Sequence, residues 1–393
     1  MRESRKSKDN KGTDPPDIFS VMTVAGLIVF GWIMIYSGSF YLAAQRSGTL
    51  VREFNPFHFF LLQGMWILVG MGACYLFYRI NRKLYPFISL PALLISIFML
   101  IGILIAPQEL NATNNRWINF AGFSMQPSEI IKPFAVVYLA SVFSKAPDKK
   151  KVEVRQYIKY WLMPFTIVAS ISVGLVVLGK DLATAGVLGI TLWTMLLFSN
   201  NKIINNIASF GMLIVGAISG VIFILIEDYR IQRVKTYLDF FLTGEVTNPL
   251  GSGYQLYQIL IAIGSGGIWG LGFGQSKQKY LYLQETAFTD TIFAVVAEEF
   301  GFIGSLAVVV TLTILFMRWI IIAKNTRDRF SYLLVIGITS WFFTQSFIHL
   351  AVNVGLFPLT GIPLPFMSYG GSSLLSCMIG LGMLLNISKD AKL

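Results

Sequence analysis

Three carboxylates stand inside one apolar run. In FTDTIFAVVAEEFG, residues 288–301, Asp290, Glu298 and Glu299 interrupt a stretch otherwise built for a bilayer. Asp290 opens the run, where the positive end of a helix dipole favours an anion. Glu298 and Glu299 lie about two turns deeper, where an ionisable group is costly and faces a cavity or a partner. Bonding to neighbouring helices is the simpler role for that pair. The chain's two histidines, His58 and His349, exclude a histidine-based triad and a multi-histidine zinc site. Cys74 and Cys377 lack metal-ligand spacing and read as core-filling thiols. Acid–base chemistry therefore falls to carboxylates.

Other charged residues admit a plain role beside a chemical one. Glu129 and Lys132 share a helix face three residues apart and most simply form an ion pair. Asp181, after Lys180, is equally a helix cap and a site residue. Trp117, after Arg116, has the depth of an interfacial anchor. In YRIQRVKTYLDFFL (229–242), Arg230, Arg233 and Lys235 alternate with Ile231, Val234, Leu238 and Phe241 at helical spacing. Such a helix lies along the membrane surface, and its cations serve either general lipid attraction or capture of a lipid-linked phosphate.

The elements that position these residues are membrane helices. Hydrophobic residues make up 55% of the 393 and charged residues 13%, which places the chain in a bilayer. Apolar runs give ten spans, near 18–37, 57–78, 84–106, 127–144, 160–178, 182–198, 206–226, 290–317, 330–356 and 362–386. Residues 1–17 form a basic cytoplasmic tail, 18–387 one all-α membrane domain, and 388–393 a second cytoplasmic tail. With the N-terminus inside, the inner segments collect Arg79, Arg82 and Lys83, the cluster from Lys145 to Lys159, Lys202, Arg318, Lys324, Arg327 and Arg329. This positive-inside pattern accounts for most of the +11 net charge and removes nucleic acid as its explanation. Residues 254–273 are apolar enough to span, but counting them would place Lys324, Arg327 and Arg329 outside, and glycines at 264, 266, 267, 270 and 272 suit close packing or a re-entrant turn better than a lipid-facing helix. They are read as part of one outer loop, 227–289. Arg116, Glu129, Lys132, Asp181 and Asp290 then all fall at the outer face.

The motifs QPSEIIK (126–132), NRWINF (115–120), KDLATA (180–185), GSGYQ (251–255), AIGSGG (262–267), GFGQSKQKYLYLQE (272–285), FTDTIFAVVAEEFGFIG (288–304) and GLFPLTGIPLPFMSYGGSS (355–373) resemble the SEDS family, which includes FtsW, RodA and SpoVE. They occur in family order across roughly residues 18–387, and the last is highly specific. The resemblance implies a ten-helix peptidoglycan glycosyltransferase of the bacterial cytoplasmic membrane that polymerises lipid II on the outer face. The essential aspartate of the family's HTDFIFA motif falls on Asp290. The same pattern assigns Arg116, Trp117, Glu129, Lys132, Asp181, Lys279, Glu285, Ser368, Gly370, Gly371 and Ser372 to the cavity. Two departures stand out: Phe288 replaces the usual histidine and Gln284 the usual proline, while His349 stands where asparagine is common.

On this resemblance Asp290 is the general base for the GlcNAc 4-hydroxyl, which attacks the MurNAc anomeric carbon. An α-linked donor giving a β-linked product implies inversion in one displacement. Arg230, Arg233, Lys277 and Lys279 are the expected contacts for the departing undecaprenyl diphosphate, with Mg²⁺ or Mn²⁺ as a further source of positive charge and no other cofactor. A class B penicillin-binding protein is the expected partner, alongside membrane lipids. Two other readings remain open: a lipid II flippase working through Glu298 and Glu299, and a non-catalytic cell-wall scaffold. A role in division or in elongation is equally open, with the GIPLPFMSYGGSS wording closer to FtsW.

Overall fold

The computed structural model describes residues 15–47, 56–106, 116–120, 123–147, 153–199 and 203–391. Most of the basic N-terminal tail, the lysines of segment 148–152, Lys202 and the last two residues lie outside the described residues. The helices, in chain order, are α1 (Ile18–Ser47), α2 (His58–Arg79), α3 (Tyr85–Ile105), α4 (Pro127–Ser144), α5 (Val154–Leu178), α6 (Leu182–Ser199), α7 (Ile203–Leu225), α8 (Asp228–Thr243), α9 (Tyr254–Gly266), α10 (Ile292–Lys324), α11 (Arg329–Asn353) and α12 (Gly371–Ser388). A short antiparallel ribbon, β1 (Ile118–Phe120) and β2 (Phe123–Met125), precedes α4.

Among the described residues nine helices are long and apolar enough to cross a membrane: all of these except α4, α8 and α9. Helix α4 occupies the fourth predicted span, but Ser128, Glu129, Lys132 and Ser141 reduce its apolarity, and it packs in the interior against α3, α6, α11 and α12. The final span begins at Gly371 and not at 362. Pro363 and Pro365 contribute no N–H to a helix, and Phe366 holds a left-handed φ of 65°. Helix α12 is buried along its whole length. It meets α2 so closely that a Cβ on Gly371 would lie 2.0 Å from Trp66 Cε2.

The helix ends segregate by charge. At one face Arg318 reaches Asp17 at 2.6 Å, Arg82 pairs with Asp390, and Arg329 donates to the carbonyl of Ala146 at 3.0 Å, at the end of α4. By the positive-inside rule this face is cytoplasmic. The starts of α4, α6 and α10 gather at the other.

Helix α9 has 13 residues, rises about 20 Å, and so falls short of a hydrocarbon core of roughly 30 Å. Behind it the glycine-rich segment turns back against α10, which is broken at Gly301 (φ 66°, ψ −162°). The break frees backbone groups that hydrocarbon cannot solvate. The glycine segment satisfies them: Leu271 and Gly272 donate to the carbonyls of Glu298 (2.9 Å) and Glu299 (3.0 Å), while Phe302 donates to Gly267 (2.8 Å) and Ile303 to Ile268 (3.2 Å). Only small residues permit this approach, since a Cβ on Gly266 would lie 2.0 Å from the Ala297 oxygen. Gly266→Ala is therefore expected to lower stability by about 1–3 kcal/mol through overpacking, seen as a lower thermal midpoint in detergent. Gly264→Ala, whose Cβ would meet open space, should leave the midpoint where it was.

Candidate active site

Asp290 sits immediately before α10, outside the spanning segment, and is half-buried. Its neighbours come from elements far apart in sequence. The Asn353 amide at the end of α11 donates to the Asp290 carbonyl at 3.0 Å and accepts the Ala294 N–H at 3.3 Å, tying two helix ends together. The loop 355–370 crosses the carboxylate, with Gly361 placed so that a Cβ would lie 3.3 Å from Oδ2. Ser368 Oγ donates to Thr289 O at 2.7 Å and accepts the Leu364 N–H at 2.8 Å, and Tyr369 N–H donates to Phe288 O at 2.9 Å. These bonds fix the SYGGSS segment beside Asp290. Phe288 itself packs with Phe59 and Tyr369 at ring-centroid distances of 4.9 and 5.5 Å, so an aromatic cluster fills this position.

The charge environment sets the acid's strength. Burial pushes the Asp290 carboxyl up to about 6. The Arg233 guanidinium and a Thr289 hydrogen bond oppose that rise, and the Asp181 carboxylate adds to it. Asp290, just before α10, thus lies within the field of Arg233 on α8 and of Asp181 at the head of α6. Arg233 is oriented by a 3.0 Å bond to Leu359 O and lies 4.4 Å from the Tyr229 ring centroid. Asp181 does cap α6, accepting the Thr184 N–H at 3.2 Å, while Gln126 (2.7 Å) and Ser128 (3.0 Å) donate to its other oxygen. It is at once a cap and a member of the cluster.

The remaining candidates divide. Arg116 donates to Gly179 O at 3.3 Å and to Lys180 O, closing the carbonyl end of α5. Trp117 is half-buried beside it. Arg230 donates to Phe223 O at 2.9 Å, doing the same for α7. Glu129 and Lys132 form a 2.8 Å ion pair, each 2% exposed. Gly370 N–H approaches Gln63 Oε1 at 3.4 Å, Gly371 gives α2 its close approach, and Ser372 is buried. Lys277 is exposed. The side chain of Glu285 lies outside the described residues.

Lys279 is not free for a ligand: its ammonium is buried 2.5 Å from Glu299 Oε1 and 2.7 Å from Ser37 Oγ. The expectation that it contacts phosphate is corrected by that pairing. Glu298 accepts the Ser276 hydroxyl at 2.5 Å and the Lys277 N–H at 2.8 Å. The two deep glutamates thus hold the 276–279 segment against α10, the structural role read for them from sequence.

Among the described residues no three carboxylate, imidazole or thiol side chains gather to hold a metal. Both carboxylate oxygens of Asp181 are already engaged by Thr184, Gln126 and Ser128.

Comparison with known proteins decides what this arrangement belongs to. Residues 18–393 match the FtsW/RodA/SpoVE family model, described as "Cell cycle protein". The chain belongs to the FtsW/RodA/SpoVE family. It is 35% identical to the probable peptidoglycan glycosyltransferase FtsW of Idiomarina loihiensis, over 93% of this chain and 85% of that one. It is 33% identical to stage V sporulation protein E of Bacillus subtilis, over 96% and 98%. In fold it is similar to one chain of a peptidoglycan synthase complex (TM-score 0.71, 23% identity, 95% and 98% coverage) and to the rod shape determining protein RodA of Thermus thermophilus (TM-score 0.65, 21% identity, 96% and 98% coverage). Family membership and its apolar helices make it a multi-pass protein of the cytoplasmic membrane.

Sequence reasoning did not single out Gly361, Asn353 or Gln345, all of which meet Asp290 or the 355–370 loop. Each is a common residue type whose placement depends on contacts across 18 or more positions.

Proposed function

We propose that this protein is a peptidoglycan glycosyltransferase that polymerises lipid II at the outer face of the cytoplasmic membrane, with Asp290 as general base. The observation that carries the reading is the Asp290 carboxylate, half-buried at a helix N-terminus, pushed up to about 6 and faced by Arg233. A base of that strength is mostly ionised at neutral pH yet accepts a proton more readily than an ordinary aspartate. The acceptor hydroxyl gives its proton to Asp290 as its oxygen bonds to the donor's anomeric carbon. The bond to the diphosphate breaks and its electron pair leaves with the phosphate oxygen. No second carboxylate nucleophile is needed for such an inverting step. Arg233 offers charge to the departing diphosphate, with exposed Lys277 as a second cation. Mg²⁺ or Mn²⁺ carried by the diphosphate oxygens would supply further charge neutralisation. Between α3 and α5 the surface is apolar along Leu100, Ile103 and Leu175 and polar at Arg116 and Asp181, the order in which a lipid chain and its charged head would meet it.

The partner we propose is a class B penicillin-binding protein transpeptidase. A flippase would need mobile intramembrane charge, and Glu298 and Glu299 are already committed to Ser276, Lys277 and Lys279. The test is the full chain in nanodiscs with labelled lipid II and the transpeptidase. A ladder of glycan strands is expected. Movement of lipid II between leaflets without any polymer would overturn the reading.

A further inference from the structure

The buried Glu129–Lys132 pair has a third member. Lys132 Nζ donates to Gln345 Oε1 at 2.9 Å, and Gln345 is fully buried on α11. The orientation of this amide follows from its neighbours. The Lys132 ammonium and the Trp341 indole N–H (2.8 Å) can only donate, so both must meet Oε1. The Pro363 carbonyl can only accept, so the Nε2–H points at it, at 3.0 Å. One side chain therefore joins a buried ion pair to the loop that crosses Asp290.

The tie is repeated along the helix. His349, four residues on, has Nδ1 2.7 Å from Ile362 O, and because a carbonyl accepts, that nitrogen carries the proton. Four residues further, Asn353 donates to the Asp290 carbonyl at 3.0 Å. Four-residue spacing keeps all three side chains on one face of α11. They hold the main chain at Pro363, Ile362 and Asp290 in turn. The loop so held is irregular and carries a left-handed aromatic residue, Phe366 (φ 65°), a conformation that persists only when its surroundings enforce it.

We infer that Gln345 is a positioning residue: it anchors the Ile362–Pro363 stretch to the buried Glu129–Lys132 pair and so fixes the distance between Gly361 and the Asp290 carboxylate. The inference rests on the reading of Asp290 as the base. It gives the ion pair a purpose beyond its own neutrality, since a pair inside the bundle is a fixed point from which a loop at the surface can be registered.

Gln345→Met preserves length and bulk and leaves Lys132 on Glu129; it removes the donor to Pro363 together with the oxygen that accepts from Lys132 and Trp341, which is why protection of α4 is followed alongside. In full-length protein in nanodiscs, turnover at saturating lipid II should fall about tenfold while KM changes less than about twofold, because the lost tie to Pro363 acts on position and not on substrate affinity. Amide hydrogen exchange over 360–368 should accelerate by a similar factor, with α4 still protected. His349→Phe, which removes the adjoining tie without touching Lys132, carries the same expectation and stands in if Gln345→Met does not fold. Unchanged turnover and exchange in either variant would overturn the inference, and so would a loss of turnover that merely follows loss of protection in α4. A wild type that makes no polymer would sink the polymerase reading alone, because the exchange measurement still decides whether Gln345 holds the loop.

Discussion

Asp290→Asn is expected to lower glycan polymerisation from lipid II by roughly 10²- to 10⁴-fold, the range for removing a positioned general base, while raising thermal stability. The two effects share one cause. Burial holds the folded-state carboxyl at about 6, above its ordinary value of 3.8, so the folded protein binds the proton more tightly than the unfolded chain does. Stability from this group is greatest at low pH, declines as pH rises from about 4 to about 6, and stays reduced at neutrality. A neutral amide of the same shape escapes that cost. Discounting for partial exposure, a gain of about 1–2 kcal/mol is expected at pH 7. In the wild type kcat/KM should rise with pH through about 6, as the free base ionises. A variant that polymerises at wild-type rate, or a pH profile flat across that range, would remove Asp290 from the chemistry. The scaffold reading predicts that the substitution leaves growth unaffected.

The fold was legible because its determinants are local. Apolar runs and the glycines after Tyr254 each act within a few residues, and those glycines marked residues 254–273 for close packing or a turn. The late start of α12 was missed because the apolar IPLPFM segment resembles a span until its two prolines are given their backbone consequence. At the site, Asp290 stood out as an acid at the head of an apolar run. Its controls did not. Gln345 and Asn353 are neutral amides inside a helix, with nothing in their spacing to indicate which carbonyls they meet. Lys279 shows the converse difficulty. A lysine in a polar outer segment reads as a ligand for phosphate, and only the tertiary structure brings it against Glu299, 20 residues away, and Ser37, 242 away.

Lys279→Met should therefore injure folding before it injures catalysis. Both ends of the Lys279–Glu299 pair are almost wholly buried, at 1% and 0% side-chain exposure, and Glu299 Oε2 has no partner of its own. Removing the ammonium leaves a carboxylate in the bundle with one hydroxyl, Ser37, as its remaining donor. Breaking a buried pair in this way costs about 3–5 kcal/mol, whereas replacing both partners with neutral groups of similar volume is close to neutral. The single variant should lose several degrees in thermal midpoint and yield little folded protein. Lys279→Met combined with Glu299→Gln should recover most of the stability and, with it, polymerisation of lipid II. A phosphate contact predicts the reverse: a stable single variant with weak activity, and a double variant no more active than the single. The cycle thus separates an ammonium that holds the 276–279 segment on α10 from one that meets substrate, and the 2.5 Å approach to Glu299 favours the first.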